Sequence, residues 1–191
     1  DDPGRWTTGF NFPAAKDGRV RQVSFETGLP SGMRGMVFNT RKPVFADRRV
    51  RMALTALFEF EWANKTLFHG VYARTQSYFD HSELSSHGRA ADERERALLK
   101  PFPDAVSAPI MARGYDAPVG DGMGQNRANR VKALQLLDAA GYEVRDGRVV
   151  ARANGQPLDF EILVARPSDE RLALVYKNML HRAGIDVHVR S

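Results

Sequence analysis

Most residues that could do chemistry are concentrated in one stretch of the sequence, residues 72–88. It contains His81, His87 and Ser82, with carboxylates close by. Such a cluster could hold a metal ion or activate a serine nucleophile. However, the stretch has neither a helical nor a strand period, no H-x-x-x-H or H-E-x-x-H pair, and no G-x-S-x-G elbow. We therefore predict no metal site, and a hydrolase that uses Ser82 or the two histidines is the least favoured alternative.

A second candidate is a glycine-rich stretch that contains Gly120, Gly122 and Gly124 and precedes a predicted helix. Loops of this kind cradle phosphates, but both the G-x-x-x-x-G-K-[ST] pattern and a G-x-G-x-x-G pattern after a strand are missing. The backbone N–H groups could still bind a carboxylate. A simple turn is the favoured interpretation.

The remaining acidic residues and the absence of cysteine exclude further enzyme classes. Several carboxylates stand where predicted helices begin, and the helix dipole explains them there: Asp47, Asp92, Asp169 and Glu170. The chain has no cysteine, which excludes disulfide scaffolds, thiol catalysis and thiolate metal sites. No catalytic constellation remains, so we predict a ligand-binding protein that is not an enzyme and has no cofactor.

The charge is mildly basic and arginine-rich. Among 191 residues there are 28 Lys and Arg against 23 Asp and Glu, a net charge of +5, and only six of the 28 are Lys. This excess is not clustered enough to indicate a nucleic-acid partner, although a basic anion- or nucleic-acid-binding module is the alternative function. No apolar run approaches the roughly 20 residues of a membrane-spanning helix, so we predict that the chain is not itself membrane-spanning. Because the sequence starts at Asp1, we expect a mature or excised segment.

Glycine and proline dominate the first part of the chain. Residues 1–34 are predicted to be loops around one short strand, residues 20–25, where apolar and polar residues alternate. Residues 35–39 form a short apolar run between turn formers, which predicts a buried strand.

Four helices are predicted in the middle of the chain. Asp47 is a good N-cap for a helix with apolar residues at helical spacing, and a second helix is predicted over residues 61–68. Asp92 and Glu95 form a capping-box pattern. The helix over residues 126–140 ends at a glycine.

The last third of the sequence changes from helical to strand periodicity. Residues 142–164 are predicted to form a three-stranded meander, because D-G and N-G turns separate alternating segments. Ser168 is predicted to cap a helix that leads to a strand at residues 185–190. Strand, helix and strand at this spacing indicate a βαβ unit, with residues 158–164 parallel to the last strand. The predicted fold class is therefore α/β (α+β) with a mixed sheet.

Two stretches resemble a known protein family. The first resembles the family 5 extracellular solute-binding proteins, the peptide-binding subunits of ABC importers, in the following residues: Phe38, Asn39, Thr40, Arg41, Pro43, Phe45, Asp47, Arg49, Val50, Arg51, Ala53 and Leu54. The second resembles the YejA-type branch of that family in the following residues: Phe60, Glu61, Trp62, Asn64, Leu67, Phe68, Tyr72, Arg74, Thr75, Ser77, Tyr78, Phe79, Ser82, Glu83 and Leu84. Weaker matches extend the likeness over nearly the whole chain.

The resemblance implies an architecture and a function. Members of the family have two lobes joined by a hinge, with a peptide enclosed between them. The chain would then comprise a loop-rich leading segment, residues 1–34, and part of the C-terminal lobe (lobe II), residues 35–191. It would act in the periplasm, bind an oligopeptide or peptide-like ligand, and deliver it to an inner-membrane ABC permease without covalent chemistry.

The resemblance also suggests four ligand-binding residues: Asn39, Ser168, Tyr78 and Arg166. Each has a plainer role as an alternative, since Asn39 could only end a strand, Tyr78 could pack inward and Arg166 could be solvated. For Ser168 the capping role is favoured. Because enclosure of a ligand needs both lobes, we expect the 191-residue chain to fold on its own but to bind peptide weakly or not at all.

Overall fold

The computed structural model describes residues 3–25 and 27–191. The helices and strands of this part of the chain are α1 (Pro3–Thr8), α2 (Pro13–Lys16), α3 (Pro43–Ala46), α4 (Arg48–Ala56), α5 (Phe60–Phe68), α6 (Glu93–Leu99), α7 (Ala108–Arg113), α8 (Arg127–Ala139), β1 (Tyr142–Arg145), β2 (Arg148–Ala151), β3 (Asp159–Leu163), α9 (Pro167–Arg182) and β4 (Asp186–Arg190). Among the described residues, no helix has both the length and the apolar character needed to cross a membrane.

The chain divides into two compact units, and each combines two separate stretches of sequence. The first unit consists of Asp1–Gly35 and Tyr72–Ala117, and the second of Met36–Val71 and Pro118–Ser191. Residues 35–191, predicted to be one part of the second lobe, are thus divided between both units. The assignment of residues 35–191 to a second lobe stays a proposal.

The first unit contains short helices joined by long loops. The predicted capping box of α6 is confirmed, since Asp92 Oδ1 accepts from Glu95 N at 2.8 Å and Glu95 Oε2 accepts from Asp92 N at 2.9 Å. Backbone hydrogen bonds tie the loop before α6 to α7, for example from Gly88 N to Arg113 O at 2.8 Å.

Two predicted strands do not form. Residues 20–25 and 35–39 contain no strand, so both predictions are wrong. Neither stretch has, within the described residues, a neighbouring strand that takes up its backbone hydrogen bonds, and such pairing is what makes an extended segment a strand. Val37 is 94% exposed and so lacks the predicted burial, and Phe25 in the other stretch is 82% exposed.

The second unit begins with two consecutive helices. The predicted cap of α4 is confirmed, because Asp47 Oδ1 accepts from Arg49 N at 2.7 Å. Helix α3 was not predicted from the sequence. Proline at the first position of a helix is favourable, because its missing N–H would have no partner there.

Helices α8 and α9 follow the predicted periodicity, and α8 has a side-chain cap that the sequence analysis does not include. Asn126 Oδ1 accepts from Asn129 N at 2.8 Å. Helix α9 instead starts at Pro167 with Arg166 as the N-cap residue and without a side-chain cap. Ser168 lies inside the first turn, so its predicted capping role is wrong. Proline takes the first helical position and moves the cap one residue ahead of it.

The strands form two pairs. Strands β1 and β2 are antiparallel, and β3 and β4 are parallel with Phe160 opposite Val187, which confirms the α/β class and the βαβ unit. The predicted third strand of the meander is β3, and in the described residues it pairs with β4 instead. Within the described residues the two pairs are separate sheets rather than the single mixed sheet predicted, although an isolated antiparallel bridge joins Val150 and Pro157 and Val149 N donates to Gly184 O at 2.8 Å.

An apolar core holds the second unit together. Its largest fully buried side chains are Val50, Leu54, Leu137, Val149, Leu158, Leu180 and Ile185. Tyr176 contributes its ring to this core and donates a hydrogen bond from its hydroxyl to Leu54 O at 2.7 Å. Burial of such side chains supplies most of the stabilisation of a small domain.

Candidate functional site

Asn39 lies on the surface of the second unit, immediately ahead of α3. Its Oδ1 atom accepts from the backbone N and from Nε of Arg41, both at 3.2 Å, and its carbonyl oxygen accepts from Lys42 N at 2.9 Å. The residue therefore opens a turn rather than ending a strand. Its side chain remains exposed and can offer its amide to a ligand.

Arg166 and Ser168 are brought together at the start of α9. The Arg166 side chain is two-thirds exposed, and its Nε lies 3.2 Å from Asp169 Oδ2. Ser168 is exposed one residue after Pro167. The first turn also carries Asp169 and Glu170, which are favourable at the positive end of the helix dipole. An exposed ion pair contributes little stability, so Arg166 can exchange Asp169 for a ligand carboxylate at small cost.

Tyr78 belongs to the first unit, where a buried carboxylate organises its loop. Asp80 is 8% exposed, and its carboxylate accepts hydrogen bonds from Gln76 N and from Ser85 Oγ. Burial pushes the pKa of Asp80 upward, but the hydrogen bonds outweigh it and hold the pKa below its usual value. The loop thereby holds Tyr78 outward with 74% of its surface exposed, which contradicts the alternative of inward packing.

The residues of the hydrolase alternative have structural roles in the same unit. Ser82 Oγ donates to Phe79 O at 2.7 Å and accepts from Leu84 N at 3.3 Å, as in a serine-stabilised turn. His87 Nδ1 lies 3.2 Å from Tyr115 O. Among the described residues, no group of three or more His, Asp or Glu is placed to hold a metal ion.

The glycine-rich stretch is held by carboxylates of the protein itself. Glu61 Oε2 accepts from Gly120 N at 2.7 Å, so the backbone group that could have bound an external carboxylate is already used. Glu59 is 8% exposed and its Oε1 accepts from Asn126 N at 2.8 Å. Neither glutamate was predicted to matter, because 59 or more residues separate each from its partner along the chain.

Gly124 fixes the other end of this loop. A Cβ atom there would lie 2.8 Å from the Trp62 ring, and its φ of +79° is unfavourable for other residues. Its carbonyl oxygen accepts from Arg182 at 2.9 Å. The sequence signal was the glycine itself, which marks a close approach of backbone to a neighbour. The loop is thus a structural clamp between α5, α8 and α9.

Comparison with known proteins gives close relatives over the full chain. A putative binding protein of Brucella melitensis is 48% identical over 190 residues, which are 100% of this chain and 31% of that protein. The peptidoglycan-binding protein YepA of Agrobacterium fabrum is 40% identical over 190 residues, with the same coverage. The probable peptide-binding protein YejA of that bacterium is 36% identical over 189 residues, 98% of this chain and 31% of the relative. The chain spans about a third of the length of these relatives.

The fold and a family model agree with these relatives. An ABC transporter substrate-binding protein from Sinorhizobium meliloti has a similar fold over 82% of this chain and 26% of that chain, with a TM-score of 0.55 and 22% identity. The model of the bacterial extracellular solute-binding proteins, family 5 Middle, matches residues 6–191. The resemblance inferred from the sequence is confirmed, and the chain belongs to the family 5 bacterial extracellular solute-binding proteins.

Proposed function

We propose that the chain is part of a periplasmic protein that binds oligopeptides or peptide-like ligands and delivers them to an ABC permease. Its family consists of solute-binding proteins rather than enzymes. The observation that carries the ligand class is the naming of two relatives, at 40% and 36% identity, as peptidoglycan-binding and probable peptide-binding proteins. Binding and release, without covalent chemistry, are the whole of the proposed activity.

The candidate residues supply groups suited to a peptide. Asn39 offers an exposed amide, Ser168 a hydroxyl and Arg166 a guanidinium that can pair with a terminal or side-chain carboxylate. Tyr78 offers a flat aromatic surface for packing. Contacts to backbone amides and carboxylates tolerate varied peptide sequences, because every peptide carries these groups.

Fragments of peptidoglycan are a second candidate ligand. The observation in favour is the 40% identity to the relative named as peptidoglycan-binding, over the whole of this chain. Peptidoglycan fragments carry short peptides with carboxylates, so the same guanidinium and amide groups suit them. The two ligands differ in one respect that can be measured, since the fragments also carry amino sugars.

The anion- or nucleic-acid-binding alternative gains no support from the placement of the arginines. Several of them face acidic side chains instead of forming an open basic surface: Arg19 with Asp17, Arg49 with Asp47, Arg145 with Glu143, Arg148 with Asp186, and Arg190 with Glu161. Binding to nucleic acid depends on unpaired cations that displace counterions from phosphates. These arginines are therefore poorly suited to it.

Mass spectrometry of ligands that copurify with the full polypeptide tests the ligand class. Peptides without amino sugars support the first candidate, and peptides linked to muramic acid support the second. Recovery of nucleotides, with affinity that falls by orders of magnitude between low and physiological salt, would contradict both.

Substitution of Arg166 tests the site separately from the ligand class. With an identified peptide, Arg166→Ala should raise the Kd about tenfold or more in isothermal titration, because it removes a charged hydrogen-bond donor. Arg171→Ala is the matched control, since Arg171 is an exposed arginine in the same helix. Equal affinities of the wild type and the Arg166 variant would exclude Arg166 from the site without excluding peptide binding.

A further inference from the structure

A pocket with mostly apolar walls lies between α8 and the antiparallel pair of β1 and β2, with a volume of about 390 Å³. Six of its nine lining side chains are apolar or aromatic: Val131, Leu134, Leu137, Tyr142, Val144 and Val149. Pockets that bind small molecules in proteins have similar volumes and are lined in the same way. None of Asn39, Tyr78, Arg166 and Ser168 lines this pocket, so its chemistry is independent of the proposed peptide contacts.

Two facing surfaces form the walls of the pocket. Val131 and Leu134 are three residues apart, so they lie on one face of α8. Tyr142 and Val144 are two residues apart, so they lie on one face of β1, and Val149 of β2 is opposite Val144. Val149 is only 1% exposed, whereas Val131 and Val144 are 46% and 55% exposed. The pocket thus has a buried floor and a mouth open to solvent.

The two carboxylates of the lining are already paired with arginines. Arg152 donates to the Asp138 carboxylate, and its Nε lies 3.8 Å from Glu143 Oε2. Arg145 Nη2 donates to Glu143 Oε1 at 2.5 Å. A charged ligand would have to compete with these pairs or leave its own charge without a partner, which costs free energy in an apolar site. The pocket therefore favours an uncharged ligand.

Two uncharged polar groups of the lining remain available. Within the described part of the chain, neither the Tyr142 hydroxyl nor the Gln135 amide makes a hydrogen bond. Burial, together with the charge of Asp47, raises the pKa of Tyr142, so this hydroxyl stays protonated and can donate. The amide can both donate and accept. These groups suit a ligand that carries one hydrogen-bonding group on an apolar body.

We propose that the pocket between α8 and the β1–β2 pair binds a small uncharged molecule with an apolar body and one hydrogen-bonding group, such as a phenol. A folded protein partner is a poorer occupant, because a stable interface buries about 800 Å² on each partner. The apolar surface here is confined to one pocket and bordered by the ion pairs of Arg145 and Arg152. Burial of the ligand's apolar body supplies the affinity, and its polar group sets the orientation.

Titration of the full polypeptide with p-cresol, toluene and p-toluate tests the ligand class. The methyl NMR signals of Val131, Val144 and Val149 should shift and saturate with p-cresol. Toluene should bind at least about threefold more weakly because it lacks the hydroxyl. p-Toluate should bind at least about tenfold more weakly because its carboxylate finds no free cation. Shifts that do not saturate, or equal affinity for p-cresol and either other probe, would overturn the proposal.

The polar groups are tested with the double variant Tyr142→Phe/Gln135→Ala. It should bind p-cresol and toluene with equal affinity, because the hydroxyl of p-cresol then has no partner in the pocket. A preference for p-cresol that persists in this variant would overturn the assignment of the polar groups.

The location is tested by filling the pocket. Val131→Phe should weaken p-cresol binding at least about tenfold, because the larger side chain takes up the space between α8 and β1. Leu174→Phe is the matched control, since Leu174 is 45% exposed on α9 and does not line the pocket. This control should bind p-cresol within about twofold of the wild type. Equal affinity of the two variants would overturn the location, and neither substitution alters a proposed peptide contact.

Discussion

The two units of the chain differ in what holds them together. In the second unit, apolar side chains from α4, α8, α9 and the strands form one buried core. In the described part of the first unit, the only buried residues are Asp80, Gly114 and Ala117, while large apolar side chains such as Phe102 stay exposed. The second unit is thus stabilised by hydrophobic burial, and the first is organised by hydrogen bonds.

The units also differ in charge. The first contains eleven acidic and eleven basic residues, so the whole net charge of +5 belongs to the second. The two kinds of candidate ligand contact divide in the same way, with Tyr78 in the first unit and Arg166 in the second. The aromatic and the charged candidate contacts therefore come from regions that are stabilised in different ways. Substitutions in each unit can test these two sources of stability separately.

The largest expected effect is that of a cavity in the core of the second unit. Leu54 is fully buried, so Leu54→Ala should lower the free energy of unfolding of this unit by about 2–5 kcal/mol. The control is Leu98→Ala in the first unit. Because this substitution truncates an exposed side chain, it should change the free energy of unfolding by less than about 0.5 kcal/mol. Urea unfolding followed by Trp62 fluorescence, with Trp6→Phe as background, reports on the second unit. Equal effects of the two substitutions would break the comparison.

The next effect concerns the clamp loop of the second unit. Gly122 and Gly124 have similar positive φ values, +73° and +79°, but only a Cβ at Gly124 would contact Trp62. Gly122→Ala should cost about 1–2 kcal/mol for backbone strain alone. Gly124→Ala should cost about 1–3 kcal/mol more, because the ring must move. Thermal unfolding of both variants measures the difference. Equal melting temperatures would show that the Trp62 ring can move without a loss of stability.

A smaller effect is expected from the polar centre of the first unit. The lowered pKa of Asp80 means that its carboxylate stabilises the folded loop above its unfolded pKa of about 3.9, and that this stability is lost as the pH falls through the lower folded pKa. Asp80→Asn should destabilise the loop by about 1 kcal/mol at pH 6 and remove this acid dependence. Exchange of the Gln76 amide between pH 6 and pH 2, corrected for intrinsic rates, measures both. An identical pH dependence in the variant would contradict this role.

The smallest effect is expected from an exposed ion pair of the second unit. Hydrogen bonds from Arg190 lower the pKa of Glu161, so any stabilisation is present above the unfolded pKa and is lost in acid below it. Because both side chains are solvated, Glu161→Gln should leave the melting temperature within the scatter of repeated scans. A loss as large as that of Leu54→Ala would mean that polar pairs, and not the core, stabilise this unit.

Much of the second unit could be predicted because its signals are local. The side chain of Asp47 caps α4 by bonding to the N–H group two residues ahead, so the pattern and its partner lie in the same short segment. The βαβ unit was also predictable, since a helix between two strands constrains them to run parallel. The same local chemistry correctly predicted the capping box at Asp92 in the first unit.

The candidate site was predictable only in part. The resemblance to the family suggested Asn39, Tyr78, Arg166 and Ser168, and the structure places all four on the surface. It brings Arg166 and Ser168 together at one helix start, but it replaces the expected Ser168 cap with Pro167 at the first helical position. Their role in binding stays a prediction, because it depends on a ligand and not on the fold.

The sequence by itself determined that α4 and α6 begin after Asp47 and Asp92, that β3 and β4 are parallel, and which family the chain resembles. Only the tertiary structure decided that residues 35–39 form no strand and that Tyr72–Ala117 joins the first unit. It also decided that the Glu61 carboxylate accepts the hydrogen bond of Gly120 N. The physical reason is the distance between partners along the chain. Helix caps and tight turns are satisfied within a few residues, whereas strand edges and buried carboxylates take partners from remote segments that no local pattern specifies.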